Sequence, residues 1–202
     1  MRLLARSLLA LVPMLLLACA MRPPAEVQAA LSVSPDLAAQ SPSDVAVMPV
    51  QDATTERRAQ PYVEEIREEL ARTLVRRRYA PLAARLVDAA LSGQPKAASV
   101  TDVAVLSSHV GRFSEDAILG VRIQWWDETQ IMATGRLRLT ADVTMISSKD
   151  RKVLWSGSFS ADVKAGGEGP APLDRVERIR DASLRFSQQL GEQLPARRMD
   201  GR

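Results

Sequence analysis

Few residues in this chain could carry out covalent or acid–base chemistry. One histidine, His109, and one cysteine, Cys19, stand among 202 residues. Asp102, Ser107 and Ser108 lie near His109 and supply the residue types of a nucleophile–base–acid set. Such a set needs a base oriented by an acid, and an oxyanion hole. Neighbouring positions in a chain provide neither. Asp127 and Glu128 could pair as acid and base, but acidic residues are also ordinary in hairpin turns. The glycines at 166, 167 and 169 around Glu168 lack the lysine and the helix start of a phosphate-cradling loop. One histidine and one cysteine do not make a zinc cluster. The expectation is a protein that is not an enzyme and uses no metal and no cofactor.

Cys19 is the exception, because of what precedes it. Arg2 and Arg6 give a positive start, and residues 8–17 are apolar apart from Pro13. A charged start before a short apolar core reads as a signal peptide. The core is far shorter than the roughly 20 residues a membrane-spanning helix needs. Leu16-Leu17-Ala18-Cys19 then resembles the lipobox of bacterial lipoproteins. That resemblance implies diacylglycerol on the Cys19 sulfur, cleavage after Ala18 and acylation, such as palmitate, on the new amino terminus. Several acyl chains hold a membrane far better than one, since each buried methylene adds about 0.8 kcal/mol. Ala20, rather than Asp, follows the cysteine. In lipoprotein sorting that implies the outer membrane, on its periplasmic face.

Composition sets further bounds. The formal net charge is +3. Removing Arg2 and Arg6 with the leader lowers it to about +1, so the basic pI overstates the mature chain's character. Neither that charge nor an exported address favours nucleic acid. With Cys19 acylated no thiol remains for a disulfide, so the fold must rest on its core. The chain has no asparagine and hence no N-glycosylation acceptor.

Residues 20–43 are rich in Ala, Pro, Ser and Gln and read as a flexible tether behind Cys19. Val45 to Val50 reads as a short buried strand, with Pro49 placing its end near an edge or bulge. Val63, Ile66, Leu70 and Leu74 recur at helical spacing, so a helix is predicted over 61–78. Its glutamates come early and its arginines late, as the helix dipole prefers, and Glu68 can pair with Arg72. Residues 79–82 could form a short strand and 83–91 a short helix, while 101–110 leans to helix with Thr101 as cap. Three alternating stretches follow, over 119–126, 137–145 and 153–163. Each should bury one face and wet the other, with the last two joined as a hairpin. A final helix over 173–194 carries Val176, Ile179, Ser183, Phe186, Leu190 and Leu194 as its inner stripe.

The pattern predicts an α+β fold: a mixed, mostly antiparallel sheet of about four strands with helices packed on one face. The divisions are a signal peptide at 1–18, the lipidated cysteine and tether at 19–43, one domain at 44–195 and a polar tail at 196–202. The open face would carry Arg122, Gln124, Arg138, Thr140 and several serines. Strand alternation puts Trp125 in the core and Trp126 on the wet side. Exposed tryptophan is favoured at interfaces and lipid headgroups, so Trp126 is a candidate contact. Arg76, Arg77 and Arg78 form a second candidate patch.

The domain resembles a superfamily of envelope lipoproteins. It includes the LpoB-type activators of peptidoglycan synthases, the export lipoproteins CsgG and PelC, and the amino-terminal domain of TolB. Among these it is most similar to the GNA-type lipoproteins, proposed parts of a transport system. The matching pieces are VAVMPV and the proline-led helix after it, Tyr79 with Val87, Asp88 and Leu91, Asp116 with the Ala-Ile-Leu after it, and DVTMISSKDRKVLWSGSFS. Two departures stand out. The turn reads Ser-Ser-Lys-Asp-Arg-Lys where the family often has Asp-x-x-Thr-Gly. The 127–133 segment is also too short for the membrane-entering hairpin of a CsgG-like pore. PqiC-type auxiliary lipoproteins of lipid transporters have a similar late strand pair. The resemblance implies a lipid-anchored periplasmic adaptor of an envelope biogenesis or transport complex. The alternatives are an outer-membrane activator of a peptidoglycan synthase, or a ring-forming export subunit. Its expected partners are the membrane, through Cys19, an envelope protein complex and, in a homo-oligomer, further copies of itself.

Overall fold

The three alternating stretches form the centre of the molecule. The structure, a computed structural model, describes residues 28–93, 99–166, 172 and 174–198. The leader, Cys19 and the final four residues lie outside these. In chain order the first elements are β1 (Gln28–Val33), α1 (Pro35–Gln40), β2 (Asp44–Val47), β3 (Gln51–Asp52) and α2 (Val63–Arg76). They are followed by β4 (Ala80–Pro81), α3 (Ala84–Leu91), α4 (Val103–Ser107), β5 (Ala117–Asp127), α5 (Ile131–Thr134), β6 (Arg136–Ser147), β7 (Val153–Lys164) and α6 (Arg175–Gln193).

β5, β6 and β7 pair antiparallel in sequence order. β2 and β3 join the far side of β5 in parallel, and β4 joins β2 in parallel. The sheet runs β1-β7-β6-β5-β2-β4, seven strands with β3, so the α+β mixed sheet is as expected but larger than four strands. β1 and the two-residue β3 were not anticipated, and the short strand considered at 79–82 is present as β4.

Side-chain alternation divides the core in two. Val45 and Val47 of β2, with Ala117, Leu119, Val121 and Ile123 of β5, face α2 and α6. Ile66, Leu70 and Leu74 of α2 and Ile179, Phe186 and Leu190 of α6 complete that larger core, where the Phe159 and Phe186 rings sit 5.3 Å apart. The two helices lie close: a Cβ on Gly191 would come within 2.6 Å of Thr73 Cγ2. Ala46, Met48, Ile118 and Ile146 point the other way, onto Val87 of α3 and Leu106 of α4. Helices therefore cover part of both faces, not one, because β2 is apolar on both sides. Val176, expected in the inner stripe of α6, is 49% exposed, since it stands in the first turn beyond the sheet.

The expected tether is corrected over residues 28–40. Six of its residues form β1, which lies antiparallel along β7. Ser34 caps α1 by accepting from the Asp36 amide, and Leu37 enters the larger core. Residues 28–40, ahead of Asp44, are thus part of the folded unit. Gly157 makes room for this edge strand. Its φ is +141°, and a Cβ there would stand 2.1 Å from the Ala30 carbonyl oxygen. The glycine of the LWSG motif therefore serves the docking of β1.

The tail is likewise engaged as far as Arg198. The Arg197 amide donates to the Arg77 carbonyl, its Nε donates to the Ser41 carbonyl, and Tyr79 Oη donates to the Pro195 carbonyl. Arg67 is the most deeply buried charged residue among those described. Beyond Leu82, whose amide meets the Val45 carbonyl, β4 has ended, and the next outward carbonyl, Val47, has no strand partner. Arg67, 2% exposed, donates Nε and Nη2 to it and Nη1 to the Asp88 carboxylate at 2.8 Å. Pairing on both sides is what allows a guanidinium at this depth.

Candidate functional site

The two tryptophans are placed opposite to expectation. Ile123 pairs with Ala141, but Trp125, not Gln124, pairs with Thr140. Gln124 is the extra residue of a β-bulge, and one extra residue exchanges the two faces of everything after it. Trp126 is therefore in the core, 5% exposed, stacked on Tyr62 with ring centroids 5.6 Å apart and planes 11° from parallel. Its Nε1 donates to Glu128 at 3.4 Å. Trp125 is 49% exposed on the open face. Trp126 as an exposed candidate contact is therefore corrected: of the two rings, Trp125 is the one at the surface. No glycine or proline near 124 marks the bulge in the sequence.

The open face is built of cross-strand rows. Asp127, Arg138 and Asp162 lie side by side at one end of the sheet. Trp125, Thr140 and Ser160 form the next row, with Thr140 and Ser160 hydroxyls 2.8 Å apart. Arg122, Asp142 and Ser158 follow, and Gln124 Nε2 donates to Asp142. Further along, the 99–101 loop closes the face. Its Val100 carbonyl sits where a Gly120 side chain would be, and Thr144 donates to the Thr101 carbonyl. Opposed charges and hydroxyls thus surround one exposed indole on this face.

The arginine cluster is largely engaged internally. Arg76 Nη2 meets Glu69 Oε1 at 3.0 Å and Arg77 Nε donates to the Leu194 carbonyl. Arg72 pairs with Glu69 rather than Glu68, because Glu69 faces α6 and also accepts from Gln188. Burial pushes the Glu69 carboxyl up, but hydrogen bonds from Arg76, Gln188 and Arg72 bring it below its ordinary range. Arg78 follows α2 in the left-handed region (φ 70°) and is exposed; its amide donates to the Val75 carbonyl, and of the three it alone makes no side-chain bond among the described residues.

The acid–base candidates are not brought together as a set. Asp102 Oδ1 caps α4 through the Ala104 and Val105 amides, and Ser108 Oγ donates to the Val105 carbonyl. His109 is 8% exposed, and burial, with Arg112 nearby, lowers its pKa from the ordinary value. Asp127 accepts from Thr129 through both hydroxyl and amide, which hold its carboxyl below the usual range, while Glu128 pairs with Arg175. Glu115 and Asp116 are occupied by backbone donors: Gly111 and Phe113 on the first, Ser43 and Asp44 on the second. No metal-binding group of three or more His, Cys, Asp or Glu occurs among the described residues. No helix among them is long and apolar enough to cross a membrane.

No protein-family model matches the chain, and no curated protein matches it. Solved structures do. Lipoprotein GNA1162 from Neisseria meningitidis is 20% identical with a TM-score of 0.48, the match covering 72% of this chain and 96% of the other. A PelC dodecamer from Paraburkholderia phytofirmans is 13% identical with a TM-score of 0.49, over 84% and 98%. The LpoB C-terminal domain from Salmonella enterica is 13% identical with a TM-score of 0.38, over 60% and 82%. At 20% identity or less these likenesses concern the fold alone.

Proposed function

We propose that this chain is a non-enzymatic accessory lipoprotein of the bacterial envelope, anchored through acyl chains on Cys19. It sits at the periplasmic face of the outer membrane and docks there onto a protein complex of envelope biogenesis or transport. The observation that carries this reading is Leu16-Leu17-Ala18-Cys19 behind a basic, apolar leader. The placement of Cys19 close ahead of an ordered domain supports it: only residues 20–27 separate it from β1. That spacing is short for an activator that must cross the cell-wall layer, so a peptidoglycan synthase is the less favoured partner.

A second reading, a ring-forming export subunit, draws on β1. Among the described residues it pairs with β7 on one side only, and a strand edge left open offers main-chain donors and acceptors to another chain. Crosslinking in living cells, purification of the tagged chain and mass spectrometry test both. Transport components among the captured proteins are expected; capture of a peptidoglycan synthase alone would overturn the transport reading. Self-crosslinks alone would favour the ring. Cys19→Ser should abolish lipid labelling, and unchanged labelling would remove the anchor.

A further inference from the structure

The anchor and the exposed indole lie at the same end of the domain. β1 begins at Gln28, in register with Ser160, in the row that holds Thr140 and Trp125, and it runs away from the end formed by Asp127, Arg138 and Asp162. Cys19 is nine positions upstream, a span of at most about 30 Å fully extended. An acylated Cys19 therefore keeps this end near the lipid.

The surface there fits such a neighbour. Trp125 is the only exposed aromatic ring among the described residues. Met132 of α5 is 51% exposed, and Val176 stands in the first turn of α6. The two elements are tied by Arg178, whose Nη1 donates to the Ile131 and Met132 carbonyls. The ion pairs at this end are layered. Asp162 and Glu128 lie inside, their side chains 5% and 17% exposed, while Arg136, Arg138 and Arg175 stand outward at 37%, 47% and 58%. Lys164, opposite Arg136, is exposed too. The outermost layer thus brings Trp125 and Met132 together with the outward cations Arg136, Arg138 and Lys164, which complement headgroup phosphates above acyl chains, while Asp174 and Glu177 stand exposed beside Val176 in the first turn of α6.

We propose that this end of the sheet is a second membrane contact. Trp125 and Met132 enter the interfacial layer and the arginines meet phosphate, so the domain lies on the bilayer with its opposite end, at the 147–153 turn, presented to partners. The inference rests on the anchor reading above. Trp126 and Trp155 are buried, so lipid-borne quenchers read Trp125 selectively.

The test uses the full lipidated chain in vesicles of phosphatidylethanolamine and phosphatidylglycerol, with a fraction of the lipid brominated. Emission should fall for the wild type and stay unchanged for Trp125→Ala, which still floats with the vesicles. Arg138→Glu should reduce the wild-type quenching. A chain that floats but is not quenched overturns the inference and leaves the anchor standing. A chain that does not float overturns both. Protein adducts alone from a photocrosslinker placed at 125 in cells would assign Trp125 to a protein partner and overturn it as well.

Discussion

Trp125 and Trp126 are neighbours in the chain, yet they belong to opposite regimes. One face of the sheet, under α2 and α6, is closed, apolar and stacked ring on ring. The other, past the 99–101 loop, is open and built of paired charges and hydroxyls around a single indole. The closed face determines whether the chain folds, and the open face is free to meet a neighbour. A single extra residue, Gln124, decides which tryptophan goes where.

The sharpest way to break that comparison is truncation on the closed face. Trp126→Ala removes the Tyr62 stack and leaves a cavity, and should cost about 3–5 kcal/mol. A loss below about 1 kcal/mol in urea unfolding would mean that the ring is not core. Next comes Gly157→Val, which meets the Ala30 carbonyl and requires a backbone that side chains rarely adopt. A loss of roughly 1–3 kcal/mol is expected, with faster amide exchange confined at first to residues 28–33. Uniform exchange across the sheet would place the strain elsewhere. Trp125→Ala should change stability by no more than about 0.5 kcal/mol, since it lies on the open face.

The smallest effect is a pH dependence. Burial, then Arg112, lowers the His109 pKa below the ordinary 6.5, so the unfolded chain binds the proton more tightly. Its contribution to stability is complete above about 6.5, declines as pH falls toward the folded-state pKa, and then levels off. Urea midpoints at pH 7.5 and 5.5 should therefore separate less in His109→Gln than in the wild type; equal separations would show that His109 does not titrate on unfolding.

Long periodic segments were legible. α2, α6 and the β5–β6–β7 ladder follow from spacing alone, because each has a continuous apolar stripe whose period names its type. β1 was not legible. Its Ala29, Leu31 and Val33 make a weak stripe inside an Ala-, Ser- and Pro-rich stretch, and it is a strand only because β7 offers an edge and Gly157 a gap. The arginine cluster looked like a surface patch because its partners, Glu69 with the helix and the Leu194 carbonyl, depend on how α6 packs.

By itself the sequence determined the leader and Cys19 motif as expectations, the α+β class, the two main helices and the central hairpin, since all of these are properties of local order and spacing. Only the tertiary structure decided that residues 28–40 join the sheet and its core, which tryptophan is exposed, and that the end where β1 starts carries Trp125, Met132 and the outward arginines. Those outcomes depend on strand register and on surfaces from distant parts of the chain, and register is a relation between two segments that neither encodes alone.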